Sequence, residues 1–366
     1  MKIALLGTRG IPARYGGFET FAEELSVRLA ARGHAVTVYG RTNNVQTRDA
    51  VYRGVRLTLL PTIAHKYFDT VAHTLLSTLH LIFHRHEVVL YCNSANAVFT
   101  LLPRTLGMPT VLNVDGLEYQ REKWNALGRT WYRWSERLST LFPTAVVSDA
   151  RVIQEHYRQR YGKTTACIAY GAETGRVETR DVLVRLGLRP AEYFLYVSRM
   201  EPENNARLVV KAFGRTSLAK KLVMVGDAPY ASEYIRQVKA TNDPRIVFPG
   251  AIYGAGYQEL QSHCFAYVHA TEVGGTHPAL IEAMGRSCAV LYLDTPENAE
   301  VAGGVGVAYG KTEESLAAAL EQMALLSPQE RGALGEAALD RIRQKYSWDA
   351  VVDEYERLFE QVRRKG

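Results

Sequence analysis

The sequence has few cysteines and no long apolar run. Its four cysteines, Cys92, Cys167, Cys264 and Cys288, are far apart and form no CxxC pair. This spacing argues against a metal site or a disulfide framework and favours buried thiols in a reducing compartment. No stretch of about 18 apolar residues occurs, so we expect no membrane-spanning helix. The apolar run at residues 3–6 is too short to predict a signal peptide.

The sequence also has no nucleic-acid-binding motif, and its arginines are scattered and form no continuous basic run. Its net charge of +6 is nevertheless unevenly distributed. Residues 1–178 hold 22 Lys and Arg against 14 Asp and Glu, a balance of +8, whereas the other residues hold 22 against 24, a balance of −2. A basic first half indicates an anionic partner such as phosphates or lipid headgroups, with a simple solvated surface as the alternative.

What the 366 residues do contain is a repeated alternation of short apolar runs and helical patterns. The strand-like runs fall into two series, residues 2–8, 35–39, 55–59, 88–91, 110–114, 145–147 and 166–170, and then 193–197, 221–225, 246–248, 265–269 and 289–293. Such alternation predicts an α/β protein of two doubly wound halves, with ligands beyond the carboxyl ends of the strands in the cleft where the halves meet. A hinge at 171–175 divides them. The tail, residues 328–364, is predicted to be helical with a break near 346–348.

One stretch, EVGGTHPALIEAM at residues 272–284, combines a glycine turn with the start of a helix. It follows the apolar run at 265–270, and Pro278 suits the first turn of a helix. The unpaired amides and the dipole of such a helix start favour an anion. Glu282 would lie one turn into the helix, within reach of a ribose diol. An ordinary strand-to-helix turn with a solvated glutamate is the alternative.

A second glycine loop, residues 7–19, follows the first predicted strand. Gly16 and Gly17 precede a helix and again expose backbone amides, while Arg9 and Arg14 could face a diphosphate or an anionic acceptor. A flexible surface loop is the alternative. Two glycine loops at matching places in the two halves favour a phosphate-binding role.

Three further groups of polar residues follow predicted strands. Arg199 could pair with a phosphate through two hydrogen bonds, or form a surface ion pair with Glu201 or Glu203. Asp115 would emerge where the reacting sugar carbon lies in a cleft enzyme, whereas Glu118 could equally stabilise a helix dipole. The last group, which could bind a phosphorylated acceptor or fold onto the surface, comprises Arg121, Lys123 and Trp124.

The run at residues 70–83 is amphipathic and leucine-rich, which favours a helix whose apolar side faces the core. Its neighbouring histidines, His73, His80 and His84, have irregular spacing and no Cys or Asp cluster beside them, so they are poor metal candidates. A lipid-facing role is the alternative that would fit the basic first half.

Five motifs together resemble the family 4 glycosyltransferases of the GT-B fold, and within them the bacterial rhamnosyltransferase-like subgroup whose N-terminal part was first catalogued as a domain of unknown function. The motifs span essentially the whole sequence: GTRGIPARYGGFET at 7–20, NVDGLEYQREKW at 113–124, SRMEPENN at 198–205, EVGGTHPALIEAMG at 272–285 and YSWDAVVDEY at 346–355. The resemblance implies two Rossmann-like domains facing a central cleft, residues 1–171 and 172–348. It also implies a C-terminal helix, about 349–366, that crosses back to the first domain.

The same resemblance implies a retaining, metal-independent transfer of a sugar from a nucleotide donor, with no cofactor beyond that co-substrate. Glu282 would bind the donor ribose and Arg199 the diphosphate, while Asp115 stands near a position where the wider family often has a His touching the donor sugar. The predicted donor-binding glycine turns comprise Gly16 and Gly17 in one half and Gly274, Gly275, Thr276 and His277 in the other. The predicted acceptor-side residues are Arg9, Arg14, Glu118, Arg121, Lys123 and Trp124.

Two positions depart from the family pattern. The second diphosphate cation of the wider family is a Lys five residues after the arginine, a place taken here by Asn204. Arg9, Arg14 or Lys123 could supply the missing charge. Glu272 and Glu282 have nine residues between them, where the family has seven, so only Glu282 is assigned a role.

The resemblance favours a TDP- or UDP-linked sugar, rhamnose first, and a lipid-diphosphate-linked saccharide acceptor. With the basic first half, this predicts a cytoplasmic enzyme in peripheral contact with the inner face of the cell membrane. Three alternatives stay open: an NADP-dependent oxidoreductase with Arg41 as the 2′-phosphate reader, a GT-B epimerase, and a non-catalytic sugar-nucleotide-binding protein. The first lacks the G-x-G-x-x-G fingerprint.

Overall fold

The computed structural model describes residues 1–13, 16–47, 49–65, 68–121, 124–228 and 231–365. Contacts divide the chain into two compact units, Met1–Tyr170 with Trp348–Gly366, and Gly171–Ser347. Arg14 and Lys123, two of the predicted acceptor-side residues, lie outside the described residues.

The first unit is built on a parallel sheet with one short antiparallel edge strand. Its strands are β1 (Lys2–Leu6), β2 (Ala35–Arg41), β3 (Val51–Tyr52), β4 (Val55–Leu60), β5 (Val88–Cys92), β6 (Thr110–Asn113), β7 (Ala145–Ser148) and β8 (Ala166–Cys167). They are arranged in the order β3-β4-β2-β1-β5-β6-β7-β8, and only the pairing of β3 with β4 is antiparallel among the described strands. Every residue of the central strand β5 is buried, as expected for a parallel strand covered on both faces.

Helices connect these strands. They are α1 (Gly17–Ala31), α2 (Asp69–Phe83), α3 (Leu101–Thr105), α4 (Ala126–Ser139) and α5 (Arg151–Tyr161), with 3₁₀ turns at Ser94–Thr100 and Glu118–Gln120. The connection between β6 and β7 thus contains a 3₁₀ turn followed by a separate helix, α4. Tyr39, Tyr91 and Tyr157 are among the large side chains of the core on one side of this sheet.

The second unit contains a wholly parallel sheet in the order β11-β10-β9-β12-β13-β14. Its strands are β9 (Tyr193–Val197), β10 (Lys221–Val225), β11 (Ile246–Gly250), β12 (Ala266–His269), β13 (Val290–Leu293) and β14 (Val307–Tyr309). Its helices are α6 (Asp181–Leu186), α7 (Ala206–Gly214), α8 (Ser232–Lys239), α9 (Gly254–His263), α10 (Pro278–Gly285), α11 (Pro296–Ala302), α12 (Glu313–Leu325) and α13 (Pro328–Lys345), with a 3₁₀ turn at Pro202–Asn204. Within its core, Phe194 packs edge-on against Phe213 and Phe265, with an angle of 67° between the ring planes in each pair.

The last helix, α14 (Trp348–Lys365), belongs to the first unit although it follows the second in sequence. Tyr355 is fully buried, its hydroxyl accepts a hydrogen bond from the Asn113 amide at 2.9 Å, and its ring centroid lies 5.5 Å from that of Phe21. On the solvent side, Arg32, directly after α1, forms ion pairs with Asp353 and Glu356. The tail predicted to break near residues 346–348 does so at the end of α13.

The expectation that the leucines of residues 70–83 face the core is wrong for three of the four, since only Leu81 is buried. Leu75, Leu76, Leu79 and Phe83 are exposed, and the buried side of α2 is instead polar. Hydrogen bonds from the interior fix this orientation, for example between Thr78 Oγ1 and Tyr91 Oη at 2.9 Å. Periodicity alone does not reveal which side of an amphipathic helix is inward when the neighbouring core offers polar partners.

All four cysteines are thiols and not disulfides. Cys92 and Cys288 are buried, and Cys167 and Cys264 are partly buried, which is close to the sequence prediction. Among the described residues, no helix combines the length and the apolarity needed to cross a bilayer.

Candidate functional site

The glycine turn between β12 and α10 is buried and tightly packed. A Cβ atom at Gly274 would lie 2.4 Å from Nε2 of His277, so a side chain there would displace that ring. Gly275, Thr276 and His277 are buried as well, and His277 is the N-cap residue of α10 with Pro278 directly after it. Pro278 has no N–H, and the Leu280 and Ile281 amides donate to the His277 carbonyl at 3.0 and 3.3 Å. The positive dipole end of α10 and the backbone of the turn before Pro278 are therefore the groups that would attract an anion.

Asn298 of α11 holds the glycine turn in place. Its Oδ1 lies 2.7 Å from His277 Nδ1, and its amide nitrogen donates to the carbonyls of Thr271 at 3.0 Å and Leu293 at 2.9 Å. The ring of His269 lies beneath, 4.9 Å from that of His277, and burial holds the pKa of His269 well below its usual range. The contacts of Asn298 with His277, Thr271 and Leu293 keep the turn rigid.

Glu282 lies one turn into α10, where its carboxylate accepts a hydrogen bond from Tyr257. The Tyr257 hydroxyl donates to Glu282 Oε2 at 2.8 Å and accepts from Gln261 Nε2 at 2.7 Å. Burial, followed by the nearby Glu282 charge, raises the pKa of Tyr257 well above its usual range, so the hydroxyl stays protonated and remains a donor. Sequence reasoning missed Tyr257 and Asn298, since neither falls in a motif and both lie in other helices.

The loop that contains Arg199, residues 198–205, follows β9, and β9 pairs with β12. Hydrogen bonds join this loop to the segment between β12 and the glycine turn. Asn205 Nδ2 donates to the carbonyl of Ala270 at 2.9 Å, and Glu272 N donates to the carbonyl of Glu203 at 3.1 Å. Arg199, the glycine turn and Glu282 are therefore brought together at one edge of the second sheet. This is the carboxyl edge of the parallel strands, where α/β sheets bind ligands.

Within that loop, Arg199 makes the ion pair that was the alternative to a phosphate contact. Its Nη2 lies 3.5 Å from Glu201 Oε2, with about a third of the arginine side chain exposed. Asn204, at the place of the family lysine, is 3% exposed, and its amide donates to the Arg199 carbonyl at 2.6 Å. The structure therefore places the Asn204 amide on the loop backbone, where it supports Arg199.

Glu272 is held by two donors of the second unit. Lys311 Nζ and Asn205 Nδ2 each lie 2.5 Å from its Oε1. Lys311 therefore brings a second positive charge close to the glycine turn. No sequence motif indicated this residue.

The glycine loop of the first unit is attached to the start of α1. Glu19 Oε1 accepts from the Arg9 amide at 3.0 Å, and Glu23 Oε2 accepts from the Ala13 amide at 2.6 Å. Gly16 is the N-cap of α1 in an extended conformation. The carboxylates thus neutralise part of the helix dipole in this loop.

Asp115 stands at the carboxyl end of β6 in a left-handed conformation, with φ of 59°. Its backbone N–H donates to Asn113 Oδ1 at 3.1 Å, and Tyr170 Oη donates to its Oδ1 at 3.0 Å. Aspartate and asparagine adopt this conformation more readily than other residues with a side chain, and it is enriched at functional sites.

The neighbouring acceptor-side candidates pair with one another. Arg121 Nε donates to Glu118 Oε1 at 2.6 Å, and Trp124 Nε1 donates to Glu118 Oε2 at 3.3 Å. Glu118 and Arg121 are both buried. The structure thus brings three of the predicted residues together, and their mutual bonds shape the segment after Asp115.

Two other observations limit the alternatives. Arg41, the candidate 2′-phosphate reader, is 3% exposed and pairs with Asp69 and Thr70 of α2. Among the described residues, no group of three or more His, Cys, Asp or Glu side chains is arranged to hold a metal ion.

Comparisons with known proteins give the class. Residues 15–174 match the family described as Glycosyltransferase Family 4, and residues 191–325 match the family described as Glycosyl transferases group 1. The two matches span 160 and 135 residues, or 295 of the 366 in total. No curated protein matches the sequence significantly. The chain belongs to the family 4 glycosyltransferases of the GT-B fold.

Solved structures share the fold over the whole chain. A sucrose-phosphate synthase from Thermosynechococcus elongatus aligns with a TM-score of 0.81 at 18% identity, covering 100% of both chains. HepE from Anabaena, in complex with UDP-glucose, aligns with a TM-score of 0.79 at 16% identity, covering 99% of this chain and 100% of the other. A UDP-forming α,α-trehalose-phosphate synthase from Burkholderia xenovorans aligns with a TM-score of 0.76 at 11% identity, covering 98% and 100%.

Proposed function

We propose that this glycosyltransferase moves a hexose, rhamnose first, from a TDP- or UDP-linked donor to a lipid-diphosphate-linked saccharide during cell-surface polysaccharide synthesis. The observation that carries the proposal is the grouping of Arg199, the amide-lined turn at Gly274–Gly275 and the Glu282 carboxylate at one edge of the second sheet. HepE binds UDP and UDP-glucose in its structures, which supports a nucleotide-sugar partner.

In this proposal the diphosphate and the ribose of the nucleotide sugar each bind to residues of complementary charge or hydrogen-bonding capacity. The glycine turn and the α10 dipole face the diphosphate, and Arg199 leaves its ion pair with Glu201 to bind a phosphoryl oxygen. Glu282, held by Tyr257, accepts the hydrogen bonds of the ribose hydroxyls. Lys311, which neutralises Glu272, lowers the negative potential near the turn.

The transfer step breaks the bond between the anomeric carbon and the nucleotide diphosphate and forms a bond from that carbon to an acceptor hydroxyl. Negative charge gathers on the leaving phosphate, so the donors aimed at it stabilise the transition state. We assign the acceptor proton to the departing phosphate oxygen on the attacked face, which retains the anomeric configuration without a metal ion. A covalent sugar intermediate on Asp115 is the competing path.

On the acceptor side, we assign to Asp115 the contact with the reacting sugar. The segment of Glu118, Arg121 and Trp124 forms part of the wall of the acceptor site in this assignment. Arg9 supplies charge for the acceptor diphosphate. A lipid-linked acceptor made in the cytoplasm would place the enzyme at the inner face of the membrane.

The test is a panel of TDP- and UDP-sugars, measured first by thermal shift, since a bound donor stabilises by mass action. Turnover is then followed with Glu282→Ala and Arg199→Ala. We expect Arg199→Ala to slow transfer by roughly a hundredfold, since it removes charge stabilisation of the leaving group. Glu282→Ala should raise the donor KM about tenfold or more.

Matched controls are Glu321→Ala and Arg207→Ala, both exposed side chains of the second unit. They should leave turnover unchanged. Wild-type turnover in both site variants would contradict the assignment of the donor site.

Product analysis separates the remaining activities. A transferase releases nucleotide diphosphate only with acceptor present, whereas an epimerase alters the donor without acceptor, and a binding protein releases nothing. An oxidoreductase would bind NADPH in a fluorescence titration. The anomeric configuration of the product, read by NMR, tests retention.

A further inference from the structure

Three helices of the first unit expose large apolar side chains on one layer. We call the outer surface of α2, α3 and α4 the leucine–arginine face, defined by Leu79, Phe83, Leu102, Leu106, Trp131 and Trp134. Phe83 is 84% exposed and Trp134 is 60% exposed. Single exposed apolar residues are normal, but a contiguous group marks an interaction surface.

On α2 and α4 the apolar side chains face outward because most of the buried side chains on the inner side are polar. On α2, His73 and Ser77 are buried, and His73 Nε2 lies 3.0 Å from the Gly40 carbonyl. On α4, Ser139 contacts Tyr157 Oη at 3.1 Å, and Glu136 contacts His156 at 2.6 Å. These bonds fix the rotation of the helices, so the leucines and tryptophans cannot turn inward.

The face is continuous across the three helices. The Arg85 guanidinium, just after α2, bonds to the carbonyl of Leu106 at the end of α3. Arg104 of α3 donates to the carbonyls of Leu141 at 3.0 Å and Phe142 at 2.9 Å, just after α4. The ends of the three helices therefore lie side by side.

The charge of the face is positive. Arg129, Arg133 and Arg137 repeat every fourth residue on the exposed side of α4, with Arg85 and Arg104 beside the neighbouring helix ends. The acidic residues that α2, α3 and α4 carry, in the part of the chain described, are Asp69, which pairs with Arg41, and Glu136, which is buried. A second copy of this face would therefore bring arginines against arginines, which disfavours self-association.

We propose that the leucine–arginine face docks on the surface of an anionic lipid bilayer. Leucine, phenylalanine and tryptophan beside arginine are the side chains that insert at the boundary of headgroups and acyl chains. Each arginine near an anionic surface raises the partition constant about fivefold, an effect that falls with salt. None of the residues assigned to donor and acceptor belongs to α2, α3 or α4, so the docking holds whichever sugar is transferred.

The test is co-sedimentation of the full chain, without donor, with vesicles of phosphatidylcholine alone or mixed with phosphatidylglycerol. We expect binding to the anionic vesicles, weakened by salt, and little binding to the neutral ones. Arg129→Glu with Arg137→Glu should lower the partition constant more than about tenfold. Leu79→Gln with Phe83→Gln should lower it about tenfold as well, at low and at high salt.

The matched controls make the same changes elsewhere. Arg56→Glu with Arg189→Glu gives the same change in charge at exposed positions off the face, and Leu325→Gln alters a leucine of the second unit that is 87% exposed. Both should bind vesicles as the wild type does, and circular dichroism should show all variants folded.

Equal loss of binding in the control and face variants would overturn the proposal, as would equal binding to neutral and anionic vesicles. A concentration-dependent dimer in light scattering, abolished by the face variants, would instead assign the face to self-association. No vesicle binding by the wild type would overturn the proposal while leaving the thermal-shift test of the donor unaffected.

Discussion

Because Gly274 has no side chain, the ring of His277 can occupy the space where a Cβ atom would lie. The ring is held on one side by Asn298 and packs on the other against His269, so it has little freedom to move. At the scale of single residues, the candidate donor site therefore depends on a close contact that only glycine allows. The glycine keeps the backbone amides of the turn where an anion would meet them.

We expect Gly274→Ala to weaken donor binding about tenfold, because the new methyl displaces His277 and distorts the turn at a cost of about 1–3 kcal/mol. Isothermal titration with UDP and with the donor sugar measures the effect. Gly332→Ala in α13, where a Cβ meets nothing within 4 Å, is the matched change. It should leave binding intact and raise stability slightly. Equal affinities of both variants would argue against the role of the turn.

The sequence located the glycines, Arg199 and Glu282 because each stands in a local pattern of strand, turn and helix. It could not locate Tyr257, which is 25 residues from Glu282, or Asn298, which is 21 residues from His277. These supports depend on how α9 and α11 pack beside α10. Nor could it foresee that Glu118 and Arg121 pair with each other, since either could equally have faced solvent.

At the scale of elements, α2 shows how a helix can bury its polar side. His73 lies wholly inside, near Arg41 and the Gly40 carbonyl of β2 and near Asp69 at the start of its own helix. Desolvation, with the charge of Arg41 as a lesser cause, lowers the pKa of His73 from 6.5 to about 4. The folded protein therefore keeps this ring neutral at a pH where the unfolded chain protonates it.

The stability contributed by this neutral ring is present above pH 6.5 and is lost as the pH falls toward about 4. The full loss is about 3 kcal/mol, and buried His269 acts in the same direction. Urea unfolding at a series of pH values measures it. His73→Gln should be less stable at neutral pH but should show a flatter decline.

The exposed His65 is the comparison for this decline. His65→Gln should follow the wild-type curve throughout. A His73→Gln curve parallel to that of the wild type between pH 6.5 and 4 would contradict the assignment.

The parallel strands and the helices between them were predictable, because buried strands show as unbroken apolar runs. The edge strands β3 and β14 were not predicted, since two or three residues give too little periodicity. The direction in which α2 faces was predicted wrongly for a different reason. Periodicity defines two sides of a helix, and only the tertiary partners decide which one is inside.

At the scale of the whole molecule, the two units have separate sheets and separate cores, and they carry different features. The first unit carries the excess of positive charge and the leucine–arginine face, and the second carries the candidate donor residues. The last helix, α14, completes the first core, where Phe359 is fully buried with its ring centroid 5.6 Å from that of Tyr355.

We expect Phe359→Ala to destabilise the first unit by about 3–5 kcal/mol, since it leaves a cavity in that core. Below the unfolding temperature the affinity for UDP should stay unchanged, because Arg199, the Gly274–Gly275 turn and Glu282 belong to the other unit. Thermal unfolding and isothermal titration give the two quantities. Glu360→Ala, on the exposed side of the same helix, should change neither. A loss of UDP affinity that parallels the loss of stability would show that the units do not act separately.

The position of α14 has a consequence during protein synthesis. The ribosome makes β1 to β8 first, but the helix that covers Phe21 and meets Asn113 is translated only after all of residues 171–347. Until then the apolar side chains that α14 covers stay exposed in the nascent first unit, while the second unit can already fold. Chaperones should therefore engage the early part of the nascent chain for longer than the later part.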